Sequence, residues 1–175
     1  MVDLITGYHG TNREDAEQIL KEGFKLSANE YDWLGDGVYF FQDAPHRAWE
    51  WAEEHFGTKA AVIGARIRVE NCIDLLDVDW ASRFTEMYDK FLKFYKEKGL
   101  ELPVQLGGAH RLDREVINYA VRELAEKGIH IGVVRAPFIE GERIFPNSAL
   151  RRLSHIQVAV RDLSLIMDMW QEARP

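Results

Sequence analysis

"LITGYHGT", residues 4–11, decides how the chain is read. Its apolar Leu4 and Ile5 followed by Gly7 and Gly10 read as a short strand entering a loop. The next segment is helical. "NREDAEQILKEGF" (12–24) places Ala16, Ile19 and Leu20 on one face, with acids in its first turn, Gly23 past its end and Asn12 as cap. "KLSANEYDWLGDGVYFF" (25–41) is a polar loop that breaks at Gly35 and Gly37 and continues as a strand. In that strand Val38 and Phe40 face one way, Tyr39 and Phe41 the other.

Farther along, "APHRAWEWAEEHF" (44–56) reads as a second helix with Ala48, Trp51, Ala52 and His55 inward. "AAVIGARIRVENCIDLLD" (60–77) alternates as one or two strands. "WASRFTEMYDKFLKFYKEKG" (80–99) is the longest helix, its Phe84, Met87, Tyr88, Phe91, Leu92 and Tyr95 three and four residues apart. "DREVINYAVRELAEKG" (113–128) is another helix, succeeded by the strand "IHIGVVRA" (129–136), a polar loop to residue 153 and a last clear strand "SHIQVAVRD" (154–162). The order is α+β with antiparallel potential, and residues 1–175 read as one domain without linker or repeat.

Composition narrows the function classes. A net charge of −7 with a pI near 5.4 argues against general nucleic-acid binding, which needs cations to neutralise phosphates. Arg151, Arg152 and Arg161 are the candidates for a local basic rim. No apolar run approaches the ~18 residues that span a bilayer. The opening "MVDLITGYHG" has neither a basic leader nor a long apolar stretch, and Cys72 is the single cysteine. The expectation is a cytoplasmic chain without membrane contact, in a reducing compartment.

Common catalytic motifs are missing from the sequence: the phosphate loop G-x-x-x-x-G-K-S/T, H-E-x-x-H, a Cys/His cluster and the G-x-S-x-G elbow. "GDG" (35–37) leads into a strand, so it does not read as a dinucleotide fingerprint. No metal is expected.

Taken singly, His9 reads as a turn histidine, Tyr39 as a strand aromatic, and Gly35 and Gly37 as turn residues. Their order and spacing are more specific. "GYHGT", a short helix ending "ILKEGF", then "WLGDGVYF" and a helix around Ala48 and Ala52 resemble the ADP-ribosyltransferases of the His–Tyr–Glu branch. That branch includes diphtheria-toxin-like toxins and poly(ADP-ribose) polymerases. The likeness covers residues 7–52 well and thins beyond them.

This resemblance implies a split antiparallel β-sandwich around an NAD cleft, with flanking helices. It implies NAD+ as substrate, broken at the nicotinamide–ribose bond. His9 would bond the adenosine ribose, the backbone of Gly10 the nicotinamide carboxamide, and Tyr39 would stack on the nicotinamide ring, with Thr11 and Gly37 nearby. The family's third residue is a Glu on a late strand. Aligning Val160, Asp162 and Ile166 with the family's ending puts Gln157 in its place. Gln keeps an acceptor but loses the charge that strengthens hydrogen bonds and stabilises a cationic sugar. Glu140 and Glu142, in the "EGE" loop, are the rivals for that role or for an acceptor base. Ser154, His155 and Arg135 are further candidates for the cleft lining.

The expected activity is mono-ADP-ribosyl transfer to a protein or nucleic-acid acceptor. Toxin-like members of the family suggest a defence role and a neutralising partner protein. NAD+ glycohydrolysis and a silent NAD- or ADP-ribose-binding module stay open as alternatives. The helix at 81–98 and the loop at 138–150 are the expected docking surfaces for the acceptor.

Overall fold

A computed structural model describes residues 3–105 and 110–175. Among the described residues seven strands and four α-helices run in the order β1 (Asp3–Asn12), α1 (Arg13–Glu22), β2 (Val38–Gln42), α2 (Pro45–Phe56), β3 (Ala60–Val69), β4 (Cys72–Asp74), α3 (Val78–Lys98), α4 (Arg111–Glu126), β5 (Val133–Phe138), β6 (His155–Val160) and β7 (Ile166–Gln171). The fold is α+β. Its strands form one open sheet in the order β4-β5-β6-β2-β1-β3-β7, antiparallel throughout except for β4 against β5.

Two separate sheets were expected; the strands instead form one sheet with a weak seam. β1 pairs with β3 along its whole length, from Asp3↔Val69 to Asn12↔Ala60. With β2 it pairs only at Gly7↔Gln42 and Tyr8↔Phe41. Past Tyr8 the two strands part, and the halves of the sheet diverge around the gap.

Strand alternation sends side chains to two faces. On one face Ile5, Phe40, Ile63, Ile67, Val158 and Val160 are buried together, with Ala16 of α1 and Phe24 closing over them. Across the sheet, Ile73, Val134, Ala136 and Ala159 pack against Ile117 and Leu124 of α4. Ala48 and Ala52 of α2 cover Val62 and Phe41 on that same side, beside Tyr8. α3 packs on α4 through Phe91, Val116 and Tyr119. Each large side chain buried this way contributes about 1.5–3 kcal/mol.

Local signals place the ends of the elements. Asn12 accepts the Asp15 N–H at 2.9 Å, the cap anticipated for α1. His55, expected on the inner face of α2, is exposed and stacks on Trp51 with ring centroids 4.0 Å apart. β7 was not anticipated; it pairs with β3 after the three-residue turn Leu163–Leu165.

The loop before β2 is fastened by α4. Gly35 lies at φ +79°, and a Cβ there would meet Asn118 Oδ1 at 2.5 Å. Buried Asn118 accepts from Asp36 N and from Arg161 Nη1, both at 3.1 Å, while Arg114 pairs with the Asp36 carboxylate at 2.8 Å. Asn118→Leu should therefore lower the unfolding free energy by about 1–3 kcal/mol, because it leaves buried donors unpaired. Urea denaturation with an unchanged midpoint would show that Asn118 does not hold this loop.

Candidate functional site

The gap between β1 and β2 has a specific cause. Asp43 N donates to Thr6 O at 2.9 Å, so the even-numbered residues of β1 direct their backbone groups toward β2. Continuing that ladder past Tyr8↔Phe41 would pair Gly10 with Tyr39. The Tyr39 carbonyl is instead taken by the side chain of His9, whose Nδ1–H donates to it at 2.8 Å. Gly10 is thus left with its N–H and C=O facing the gap. Its missing side chain serves packing as well: a Cβ would meet Ala48 O and the Trp51 ring at 2.8 Å, so α2 lies directly on it.

A cleft of about 640 Å³ opens along this gap. His9, Gly10, Thr11, Gly37, Tyr39, Gln157 and Glu140 all line it. His9 and Tyr39 leave the sheet on opposite faces, and only the parting of the strands lets both border one space. Glu142 is elsewhere, on a shallow outer groove beside Ile144 and Phe145. Of the additional candidates, His155 lines the cleft; Arg135 turns away to pair with Asp74 at 2.7 Å, and exposed Ser154 stays outside. Phe138 and Glu140 from the expected docking loop reach the cleft, whereas no residue of α3 lines it.

His9 is half-buried, edge-on to Phe24 and Phe40 at 5.2 and 5.9 Å. Its pKa is lowered by desolvation, opposed by the bond to Tyr39 and by Asp15. Because Nδ1 carries the proton given to Tyr39 O, Nε2 is an acceptor. Tyr39 is locked at its tip: Oη donates to Gly35 O at 2.7 Å and accepts the Leu34 N–H at 2.8 Å. Burial above all, then Asp32, pushes its phenol far above the usual range, so the hydroxyl stays protonated. Cys72, pushed up to about 12 chiefly by burial, is a poor nucleophile.

Gln157 is engaged by Trp33, a residue that sequence patterning did not single out. Trp33 Nε1 donates to Gln157 Oε1. The indole lies 5.0 Å from the Phe138 ring and 5.7 Å from His110. Arg47 likewise escaped sequence patterning. It is only 8% exposed, pairs with Glu140 at 2.8 Å and sits 5.3 Å from the Phe41 ring centroid. The available signals were weak: Trp33 is an aromatic next to the "GDG" turn, and Arg47 sits beside Ala48 on the inner face of α2.

No protein-family model matches the chain, and no solved structure matches it. It is similar to an uncharacterized protein of Methanocaldococcus jannaschii, 32% identical over 144 residues. The similarity covers 77% of this chain and spans 64% of the length of that relative. Among the described residues no helix is long and apolar enough to cross a membrane.

The electrostatics predict a pH response. Desolvation lowers the pKa values of both His9 and His155 from the ordinary 6.5. As the pH falls through about 6.5, the unfolded chain takes up protons that these two rings refuse in the fold. Stability therefore declines on acidification across that window, until the folded rings themselves titrate. An NMR titration should place both imidazole midpoints below 6.5; a midpoint at or above it for either ring would contradict its burial.

Proposed function

We propose that the chain has an ADP-ribosyltransferase fold and is a mono-ADP-ribosyltransferase, cleaving NAD+ at the nicotinamide–ribose bond and passing ADP-ribose to a macromolecular acceptor. The observation that carries this reading is the opened seam of the sheet. His9, the unladdered edge of Gly10 and the Tyr39 ring meet there in one cleft, in the order that the resemblance requires. A volume of about 640 Å³ is also in the range of small-molecule sites.

Each group suits its task. His9 Nε2 accepts a ribose hydroxyl, since Nδ1 is already committed to Tyr39 O. The N–H and C=O of Gly10 offer the donor and acceptor that a carboxamide needs. The Tyr39 ring, fixed at Oη by Leu34 and Gly35, is a preorganised stacking surface. In the reaction the bond from ribose to nicotinamide breaks with its electron pair leaving on nicotinamide, and the acceptor adds at the same carbon and loses its proton. Of the carboxylates on the cleft wall, Asp32 is held by Ser27 and Asn29 and Asp15 by Asn12; Glu140, once released from Arg47, is the candidate to receive that proton, whereas Glu142 stands outside the cleft.

Position 157 favours a second reading, a silent binding module. Gln157 brings no charge to a cationic sugar, and its carbonyl is already bonded by Trp33. One experiment separates the two. NAD+ labelled on its adenylate half is incubated with cell extract, and both label transfer and nicotinamide release are measured. Transfer by the wild type should fall about 10–100-fold in His9→Ala. Gln157→Glu should raise nicotinamide release about tenfold, as a charge-assisted contact replaces a neutral one. NAD+ binding without turnover in either protein would favour the binding module. No NAD+ binding at all would end both readings.

A further inference from the structure

Where α2, the loop after β5 and the start of β6 meet, the cleft ends in a polar corner. Arg47 comes from α2, Glu140 from the loop and His155 from β6. The corner's floor is the Phe41 ring, 4.7 Å from His155 and 5.3 Å from the Arg47 guanidinium. Phe138 closes one side, 5.5 Å from His155. All five residues line the cleft.

Hydrogen bonding in this corner is incomplete. Arg47 gives Nη2 to Glu140 at 2.8 Å, but its Nε and Nη1 are buried and bond nothing among the described residues. His155 gives its Nδ1 proton to Leu153 O at 2.7 Å, and its Nε2 is likewise buried and unbonded. A strap between loop and helix would be served by a surface ion pair. Burying a guanidinium with two donors idle costs stability instead. A group that uses those donors accounts for them.

We propose that Arg47, His155 and the backbone around them form a phosphate subsite, in which the Glu140 carboxylate is the intramolecular stand-in for the phosphate oxygens. The side chain of Glu140 is 38% exposed on its loop, so it can swing out while Arg47 stays fixed in the wall. A ligand carboxylate would gain little here, because it only repeats what Glu140 supplies. A phosphate group carries more charge and more free oxygens, whether as a monoester or as a pyrophosphate dianion, enough to engage Nε, Nη1 and the nitrogen that Glu140 releases.

His155 completes the match. The charged groups that face it are Arg47 from α2 and Glu140 from the loop; Phe41 of β2 and Phe138 of β5 are uncharged. With Glu140 paired to Arg47, the ring is neutral and Nε2 has only a lone pair to offer. A bound dianion favours protonation there, which turns Nε2 into a donor aimed at the phosphate. Binding is therefore coupled to proton uptake by His155.

The subsite does not depend on the NAD+ reading, and its test keeps the two apart. Inorganic phosphate is titrated into the full chain by calorimetry, with acetate as the carboxylate control. Glu140→Gln, a change on an exposed loop, should tighten phosphate binding about tenfold by removing the competitor. Arg47→Gln, if it folds, should abolish binding. The heat at neutral pH should vary with the ionisation enthalpy of the buffer, reporting the proton taken up. Phosphate affinity that Glu140→Gln leaves unchanged or weakens would overturn the proposal, as would acetate binding as tightly as phosphate.

Saturating NAD+ identifies the source of the phosphate group. Displacement of inorganic phosphate assigns the corner to the dinucleotide's own phosphates, and simultaneous binding assigns it to a phosphate on the acceptor. Failure of NAD+ to bind would remove the transferase reading and leave the phosphate result standing.

Discussion

The hydrogen bond from His9 Nδ1 to the Tyr39 carbonyl sets the architecture around it. A β-ladder between β1 and β2 would have used that carbonyl for Gly10 N–H and sealed the sheet. Giving it to a side chain from the neighbouring residue satisfies the oxygen at the same cost in desolvation and leaves the Gly10 edge open. The one-residue offset has a second effect. It joins two side chains that alternation sends to opposite faces, so that both border one space. The cleft is thus a defect in pairing that one histidine stabilises.

A defect of this kind survives only if the surrounding structure holds it in place. On the β1 side, pairing with β3 over ten residue pairs and packing of α2 on Gly10 keep the strand from drifting toward β2. On the β2 side, five residue pairs with β6 do the same work. The turn feeding β2 is pinned by Asn118, Arg114 and Arg161, and by Tyr39 Oη within the turn itself. Most side chains that frame the cleft are spent on one another, which makes the walls rigid. The Gly10 backbone edge and His9 Nε2 stay open to the cleft, and among the described residues Arg47 Nε and Nη1 and His155 Nε2 are buried without a partner.

Much of this was legible in the sequence, for identifiable reasons. The Asn12 cap, the Gly35 and Gly37 turn, and the inward Ala48 and Ala52 are local signals, set by residues within four positions of each other. His9 and Tyr39 are different: taken singly each reads as an ordinary turn or strand residue, and only the resemblance in their order and spacing singles them out. β7 escaped notice because "IMDMWQ" lies on an edge, with Met167 and Asp168 exposed, and shows no clean alternation. Its assignment rests on β3, about a hundred residues earlier in the chain. Trp33 and Arg47 were missed for the same reason. Their partners, Gln157 and Glu140, lie 124 and 93 residues away, and no periodicity carries such a pairing. Glu142 was the converse case: two positions from Glu140 in a loop, it faces a different surface, because a loop lacks the alternation that would fix which side it shows.

The long-range pairs also explain how the chain accommodates Gln at position 157. Trp33 Nε1 is a neutral donor in a half-buried aromatic wall, and a neutral amide oxygen satisfies it without bringing a charge out of water. A carboxylate at the same place would need a cation to offset its desolvation, and the nearby guanidinium of Arg47 already answers Glu140. The carboxylate that answers Arg47 therefore sits on a loop, where it can move, and not on a strand, where it would be fixed. Under the proposed transferase reading the difference is one of preorganisation. A strand carboxylate stabilises developing charge at no reorganisation cost, whereas Glu140 must first leave Arg47. If a phosphate displaces Glu140 from Arg47 as proposed, occupation of the corner and release of that carboxylate are two sides of one equilibrium.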